Sequence, residues 1–226
     1  METTPPDPTP LITPEIVAAG LADWRKLAQR LHARFRTAEA AAGAGFVADA
    51  VRAASAAGLV EHLDASLSAS HVDLRVATRR HGIRVTAADV GLARLLSDVA
   101  RRHDVVAVPG EVTQVELALD TADDALLGPF WSAVLTGDPA GVVADTVFDP
   151  TGQLPSMWFQ GTEPHDEPRQ RWHLDLWVAP ETAAARIAAA VAAGGTVVDD
   201  SEAPSFTVLA DPDGNKVCVC THLDRA

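Results

Sequence analysis

Leu209-Ala210-Asp211-Pro212-Asp213-Gly214-Asn215-Lys216-Val217-Cys218-Val219-Cys220-Thr221 is the stretch from which the architecture of half this chain can be read. Asp-Pro-Asp-Gly-Asn concentrates residues that preset φ, tolerate left-handed backbone or bond their own main chain, so it predicts a hairpin turn. The flanks, Phe206–Leu209 and Lys216–Thr221, then read as its two strands. Working outward, Thr196–Val198 is a further strand, and Gly194-Gly195 ends a helix over Glu181–Ala193. That helix follows a strand at Trp172–Val178. The same order occurs once before: strand Val112–Leu119, helix Asp123–Leu135, strand Val142–Phe148 and strand Pro155–Gln160. Two copies of β-α-β-β(-β) amount to an internal duplication, which predicts a paired βαβββ domain.

The first half has a different rhythm. Thr13 as N-cap, Pro14 at the first helical position, and Ile16, Val17, Leu21, Trp24, Leu27 and Leu31 at helical spacing predict a helix. Leu31–Arg36 alternates as a half-buried strand, and Ala38–Ala57 reads as an amphipathic helix with Gly58 at its C-terminus. His71–Thr78 alternates again, with Val72, Leu74 and Val76 on one face. Thr86 caps a helix over Ala87–Arg102, with Asp89 in its first turn. The order α-β-α-β-α, with room for a short strand near Ser66–Ser70, predicts an α+β unit with helices on one face of a small antiparallel sheet. The expected division is a disordered leader at 1–10, a first domain at 11–105, a linker at 106–111 marked by Pro109-Gly110, and a second domain at 112–226.

The chain has 226 residues and a formal net charge of −13. With no Lys/Arg-rich stripe, nucleic acid and anionic membranes are excluded as expected partners, since both would be repelled. The basic clusters are Arg79–Arg80 and Arg101–Arg102, the second read as solvated surface. No apolar run reaches the length of a membrane span. Met1–Pro10 lacks the basic region and apolar core of a signal peptide, so a cytoplasmic location is expected. Cys218 and Cys220, the two cysteines, would share a strand face about 6.6 Å apart, a poor disulfide geometry that suits reduced thiols.

Several segments of the second half carry a resemblance: Val115-Glu116-Leu117-Ala118-Leu119-Asp120 with Pro129-Phe130-Trp131, Trp158-Phe159-Gln160, Trp172-His173-Leu174-Asp175-Leu176-Trp177-Val178, and the Leu209–Asn215 string. Together these resemble a glyoxalase-like domain of the vicinal oxygen chelate type, in which strands of two repeats curve around a shared cleft. In the metal-dependent members, ligands come from the first and last strands of each repeat. The resemblance therefore implies Gln114 (or Glu116), Gln160, His173 and Cys218 as the set, were a divalent ion bound. Cys218 stands where the family carries a Glu, and a Gln is a feeble ligand, so the expectation is a metal-free cleft with no cofactor. His173 then lines the cleft as a polar residue, and Cys218 packs as a small buried hydrophobe. Period 2 places His173, Asp175 and Trp177 on one strand face, Gln114 and Glu116 on another, and Cys218, Cys220 and His222 on a third. Trp158, Trp172 and Trp177 would supply flat walls for a heteroaromatic ligand, with core packing the alternative for at least one.

The first half resembles a pterin carbinolamine dehydratase. That family carries His-His-Pro-Asp/Glu after its second helix and Thr-Thr/Ser-His at the end of the next long strand. Here the matching strings are Glu61-His62-Leu63-Asp64 and Ala77-Thr78-Arg79-Arg80-His81. His62 and Asp64 match; Glu61 and Leu63 replace the first His and the Pro, and Arg79 falls where the second string has its His, with His81 two residues on. The resemblance implies a hydro-lyase that removes water from a 4a-hydroxy-tetrahydropterin, with Glu61, His62, Asp64, Arg79 and His81 as site residues. Imidazoles suit such proton transfers near neutral pH, and an Arg at position 79 suits an anionic or carbonyl-bearing ligand. His32, His71 and His103 are expected at the surface. The alternative function is a natural-product tailoring enzyme, or a sequestering (resistance) protein acting through the second cleft. Both resemblances imply a homodimer.

Overall fold

The structure, a computed structural model, describes residues 9–80, 82–112, 114, 117–164, 174–178, 180–221 and 223–224, with the backbone alone at 175, 177, 180 and 181. The chain divides into two compact units, Met1–Gln114 and Val115–Ala226. The α+β class expected from the sequence holds in both.

In the first unit the elements are α1 (Thr13–Ala18), β1 (Arg25–Leu27), β2 (Arg30–Arg36), α2 (Ala40–Ala56), β3 (Leu63–Leu67), β4 (His71–Val76), α3 (Ala87–Arg102) and β5 (Val106–Ala107). The antiparallel sheet has the order β1-β2-β4-β3, with β5 also on β2. Alternation sends Leu31, Ala33 and Phe35 of β2 and Val72, Leu74 and Val76 of β4 into one core with Phe46, Ala50 and Ala54 of α2 and Leu92 and Leu96 of α3. Helix α2 lies close to the sheet at Gly43, where a Cβ would stand 2.6 Å from Leu67 Cδ1.

Three expectations for this unit need correcting. The first helix ends at Ala18 rather than running on to Leu31. Gly20, at φ +64, interrupts it, and a hairpin through Ala28, at φ +45, sends β1 back along β2. Trp24 is buried with Nε1 donating to Ser97 Oγ at 3.0 Å, so its apolar spacing served a loop instead of a helix. The extra strand lies at Leu63–Leu67, ahead of Ser66–Ser70. The expected linker belongs to the unit: β5 pairs with β2, Val108 N–H donates to Arg34 O at 2.9 Å, and Pro109–Glu111 forms a 3-10 turn. Gln114 consequently falls in the first unit.

The second unit contains β6 (Leu117–Thr121), α4 (Asp124–Thr136), β7 (Val142–Val143), β8 (Thr146–Val147) and β9 (Met157–Gly161). It continues with β10 (Leu174–Trp177), α5 (Pro180–Ala192), β11 (Thr196–Asp199), β12 (Phe206–Ala210) and β13 (Lys216–Cys220). The two sheets have the orders β6-β9-β8-β7 and β10-β13-β12-β11. In each copy the first and last strands pair in parallel and the rest antiparallel. This is the duplicated βαβββ arrangement. The strand expected at Val142–Phe148 is two short ones, turned at Ala144, whose φ is +54.

Helices α4 and α5 share one core with both sheets, built on Phe130, Trp131, Met157, Phe159, Leu176, Leu209, Val217 and Val219. Gly195 lies against the Phe130 ring so closely that a Cβ there would collide with it. In the Asp211–Asn215 turn, Asp211 Oδ1 accepts from the N–H groups of Asp213 and Asn215 at 2.9 and 2.8 Å. Its Oδ2 accepts from Trp131 Nε1 at 2.9 Å and Asn215 Nδ2 at 2.8 Å. Burial pushes this carboxyl above the usual Asp value, against the pull of those four donors. Among the described residues no helix is long and apolar enough to cross a membrane.

Candidate functional site

In the first unit the sequence places His62 at the end of a 3-10 turn, Val60–His62, as the chain enters β3. Across from it, α3 opens with Thr86 as N-cap and Asp89 at the third helical position, a spacing that lets the Asp side chain reach back to the cap. Asp89 is fully buried. Its Oδ2 accepts four bonds: from Thr86 N–H at 2.7 Å, Thr86 Oγ1 at 2.9 Å, Thr78 Oγ1 at 2.8 Å and Thr78 N–H at 3.2 Å. Its Oδ1 faces His62 Nδ1 at 2.7 Å. A carboxylate can only accept, so Nδ1 donates to it, and in the neutral ring the lone pair is at Nε2. The imidazole is held in one orientation and one tautomer while its side chain keeps 12% exposure.

Asp64, on the opposite face of β3 from the core, receives two guanidinium groups. Arg30 Nη1 donates to its Oδ2 at 2.7 Å, and Arg79 Nη2 contacts the same oxygen. Arg75 stands directly across the ladder from Asp64, so cations outnumber the carboxylate here. Arg79 Nε is buried with no hydrogen-bond partner. Burial first, then Arg79, draws Arg30 below the ordinary guanidinium value, opposed by Asp64. Glu61 is exposed on the 3-10 turn. His81 lies outside the described residues. The structure thus joins Asp64 to Arg79 and gives His62 a partner that its role in the sequence reading did not include. Asp89 was visible only as a first-turn acid suited to the helix dipole, and the Thr86-x-x-Asp89 spacing was the signal that could have marked it.

The other histidines are not at the surface as expected. His32 is 7% exposed, on the helix-free face of β2 opposite Arg75. Burial, then the Arg75 charge, brings it from 6.5 to about 4, with a side-chain bond to Gln114 opposing. Gln114, expected in the second cleft, is therefore a neighbour of His32. His103 packs on Phe46 and bonds Asp49 Oδ2 at 2.6 Å through Nε2. His71 is half-buried.

In the second unit, period 2 separates each sheet into a core face and an open face. On β9, Met157 and Phe159 are buried in the core, while half-buried Trp158 and exposed Gln160 take the other side, opposite Ala118 and Asp120 of β6. On β13, Val217 and Val219 enter the core, and Cys218 stands at the register of Asp175, Cys220 at that of Trp177. Cys218 is half-buried, short of the full burial expected, Cys220 is buried, and neither is in a disulfide. The expected cluster of Trp158, Trp172 and Trp177 is described only at Trp158, and Glu116, His173 and His222 fall outside the described residues. Of the implied ligand set, the second unit's described part offers the Gln160 amide and the Cys218 thiol. Those two donors do not make a site for a hard divalent ion. No group of three or more His, Cys, Asp or Glu able to hold a metal occurs among the described residues.

Residues 116–220 match the family model of the glyoxalase-like domain. No curated protein matches the chain. Among solved structures, the chain is similar to a transcriptional coactivator/pterin dehydratase from Brucella melitensis, at 24% identity over 41% of this chain and 99% of that one, with a TM-score of 0.37. It is also similar to a glyoxalase/bleomycin resistance protein from Albidiferax ferrireducens T118, at 24% identity over 47% of this chain and 96% of that one, with a TM-score of 0.36.

Proposed function

We propose that the first unit carries out general acid–base chemistry at His62, of the hydro-lyase kind, and that the second, glyoxalase-like unit binds a small molecule on the open faces of its sheets. The observation that supports the first part is the His62–Asp89 pair at 2.7 Å. A buried carboxylate saturated on one oxygen and aimed at Nδ1 with the other is how an imidazole is prepared for proton transfer at Nε2. In water loss from a 4a-hydroxy-tetrahydropterin, Nε2 takes the N5 proton. It then returns that proton to the departing hydroxide, so one imidazole serves both halves and the enzyme ends unchanged. The Arg30, Arg79 and Asp64 cluster supplies the cationic wall for a carbonyl-bearing or anionic heterocycle.

The test is a stopped assay of 4a-hydroxy-tetrahydropterin dehydration with the wild type, His62→Ala and Asp89→Asn. Each variant is expected to lose roughly 10²–10⁴-fold in rate, and the double variant little more than either alone. A wild-type rate equal to background would sink the reading. For the second unit, half-buried Trp158 beside Gln160 favours an aromatic ligand. Ligand-dependent quenching of Trp emission that disappears in Trp158→Leu supports it; unchanged emission and melting temperature across a panel of aromatic ligands refutes it.

A further inference from the structure

The first unit has a concavity at the end of the sheet away from His62. It is a cleft of about 410 Å3 lined by Arg34, Arg36, Thr37, Ser70, His71 and Glu111. Its position follows from the β2–β4 register. Leu31 pairs with Val76 near the His62 turn, and Arg36 pairs with His71 at the cleft. Those pairs are five residues apart on β2, or about 17 Å of strand. We propose that this cleft is a separate binding site for a small hydrophilic anion, one carrying a carboxylate or phosphate group, and that Glu111 occupies Arg36 when no ligand is present.

Four observations point this way. The volume lies within the usual range for small-molecule sites, yet every lining residue is polar or charged, which selects a hydrophilic ligand over an apolar one. Two guanidinium groups, Arg34 and Arg36, lie on the helix-free face; Asp73 neutralises the first, so a ligand that displaces Glu111 meets the uncompensated charge of Arg36. Arg34 is fixed in place by its two bonds to Asp73, at 2.7 and 2.8 Å. Arg36, by contrast, is an exposed side chain whose contact is Glu111, itself exposed on the Pro109–Glu111 turn, so this pair opens at little cost. Finally, Thr37 is 9% exposed, and its Oγ1 is buried with no hydrogen-bond partner. Its backbone N–H is tied to Ser70 O at 2.9 Å. An unanswered buried hydroxyl on a lining residue is a donor lacking its acceptor.

The proposal is independent of the chemistry assigned to His62, and its test does not measure turnover. Inorganic phosphate and malonate are titrated calorimetrically into the full chain at constant ionic strength, with amide shifts of Thr37, Ser70 and His71 followed by NMR. Saturable binding of either anion is expected, with the shifts confined to that end of the sheet. Phosphate alone would assign a phosphate ester, and malonate alone a carboxylate. Glu111→Gln, which removes the internal competitor, is expected to tighten binding by about fivefold. Arg36→Gln should weaken it by about tenfold, and Arg36→Lys, which keeps the charge without the fork, should fall between. The variants are checked for native circular dichroism, which these exposed positions should preserve. The proposal fails if neither anion saturates the wild type or Glu111→Gln, or if affinity is indifferent to both Arg36 substitutions.

Discussion

Lowering the pH from 7.5 to 4 should destabilise the first unit by about 3 kcal/mol through one residue, His32. In the folded chain this imidazole is 7% exposed, and its pKa is brought down from 6.5 to about 4 by burial and then by Arg75. Above pH 6.5 it is neutral in both states and contributes nothing to the pH dependence. As the pH falls below 6.5, the unfolded chain takes up a proton that the folded one refuses, so stability is lost down to about pH 4 and levels off beneath it. A displacement from 6.5 to about 4, at about 1.36 kcal/mol for each pH unit, corresponds to roughly 3 kcal/mol. That is a large share of the roughly 5–15 kcal/mol that holds a domain folded. The assay is urea unfolding of the wild type and His32→Gln at several pH values, followed at the Trp24 indole resonance, since Trp24 is the one tryptophan of this unit. The variant cannot titrate, so the wild type should lose about 3 kcal/mol relative to it between pH 7 and pH 4. If the difference between the two proteins stays within about 0.5 kcal/mol across that span, His32 is not held neutral by its surroundings and the reasoning is wrong.

Three further substitutions have defined outcomes. Asp89→Ala removes the acceptor of two buried N–H groups and two hydroxyls, and should destabilise the first unit by about 3–5 kcal/mol in urea unfolding. Trp131→Phe keeps the ring but deprives the Asp211 carboxylate of one donor. It should cost the second unit about 1–3 kcal/mol, measured by calorimetry, without shifting the Trp24 resonance. Gly195→Ala drives a methyl group into the Phe130 ring and should lower the second unit's stability by about 1–3 kcal/mol, whereas the same change at Gly110, where a Cβ meets nothing, should be close to silent.

How much of this was legible in the sequence differs between the two units for physical reasons. The duplicated frame was readable because each repeat has its own punctuation: Gly194-Gly195 after a helix, and a turn string in which every residue has a backbone role. The β2 and β4 alternation and the start of α3 were readable on the same grounds. What failed were features fixed by tertiary contact. Trp24 and Leu27 continue a helical spacing, yet a hairpin through Ala28 in left-handed backbone, a conformation alanine does not advertise, leaves Trp24 in a loop and puts Leu27 on an edge strand. Val106 and Ala107 look like linker because two residues cannot display a period, and only β2 beside them makes them a strand. For the site, His62 could be picked out by residue type, whereas Asp89 looked like an ordinary first-turn acid. Its second oxygen finds its use only when β3 arrives from elsewhere in the chain. His32 looked exposed because Arg30, Arg34 and Arg36 around it are charged, and its burial depends on what lies over that face.

The strand orders β6-β9-β8-β7 and β10-β13-β12-β11 have a consequence for synthesis. In each repeat the last strand made takes an interior place, in parallel contact with the first. Until β9 emerges from the ribosome, β6 has no partner in its sheet; until β13 does, β10 has none. Each repeat must therefore hold its opening strand unpaired for about forty residues of synthesis, at about 5–20 residues per second. That interval of unprotected strand edge is where a chaperone, or a neighbouring nascent chain, has its opportunity to bind.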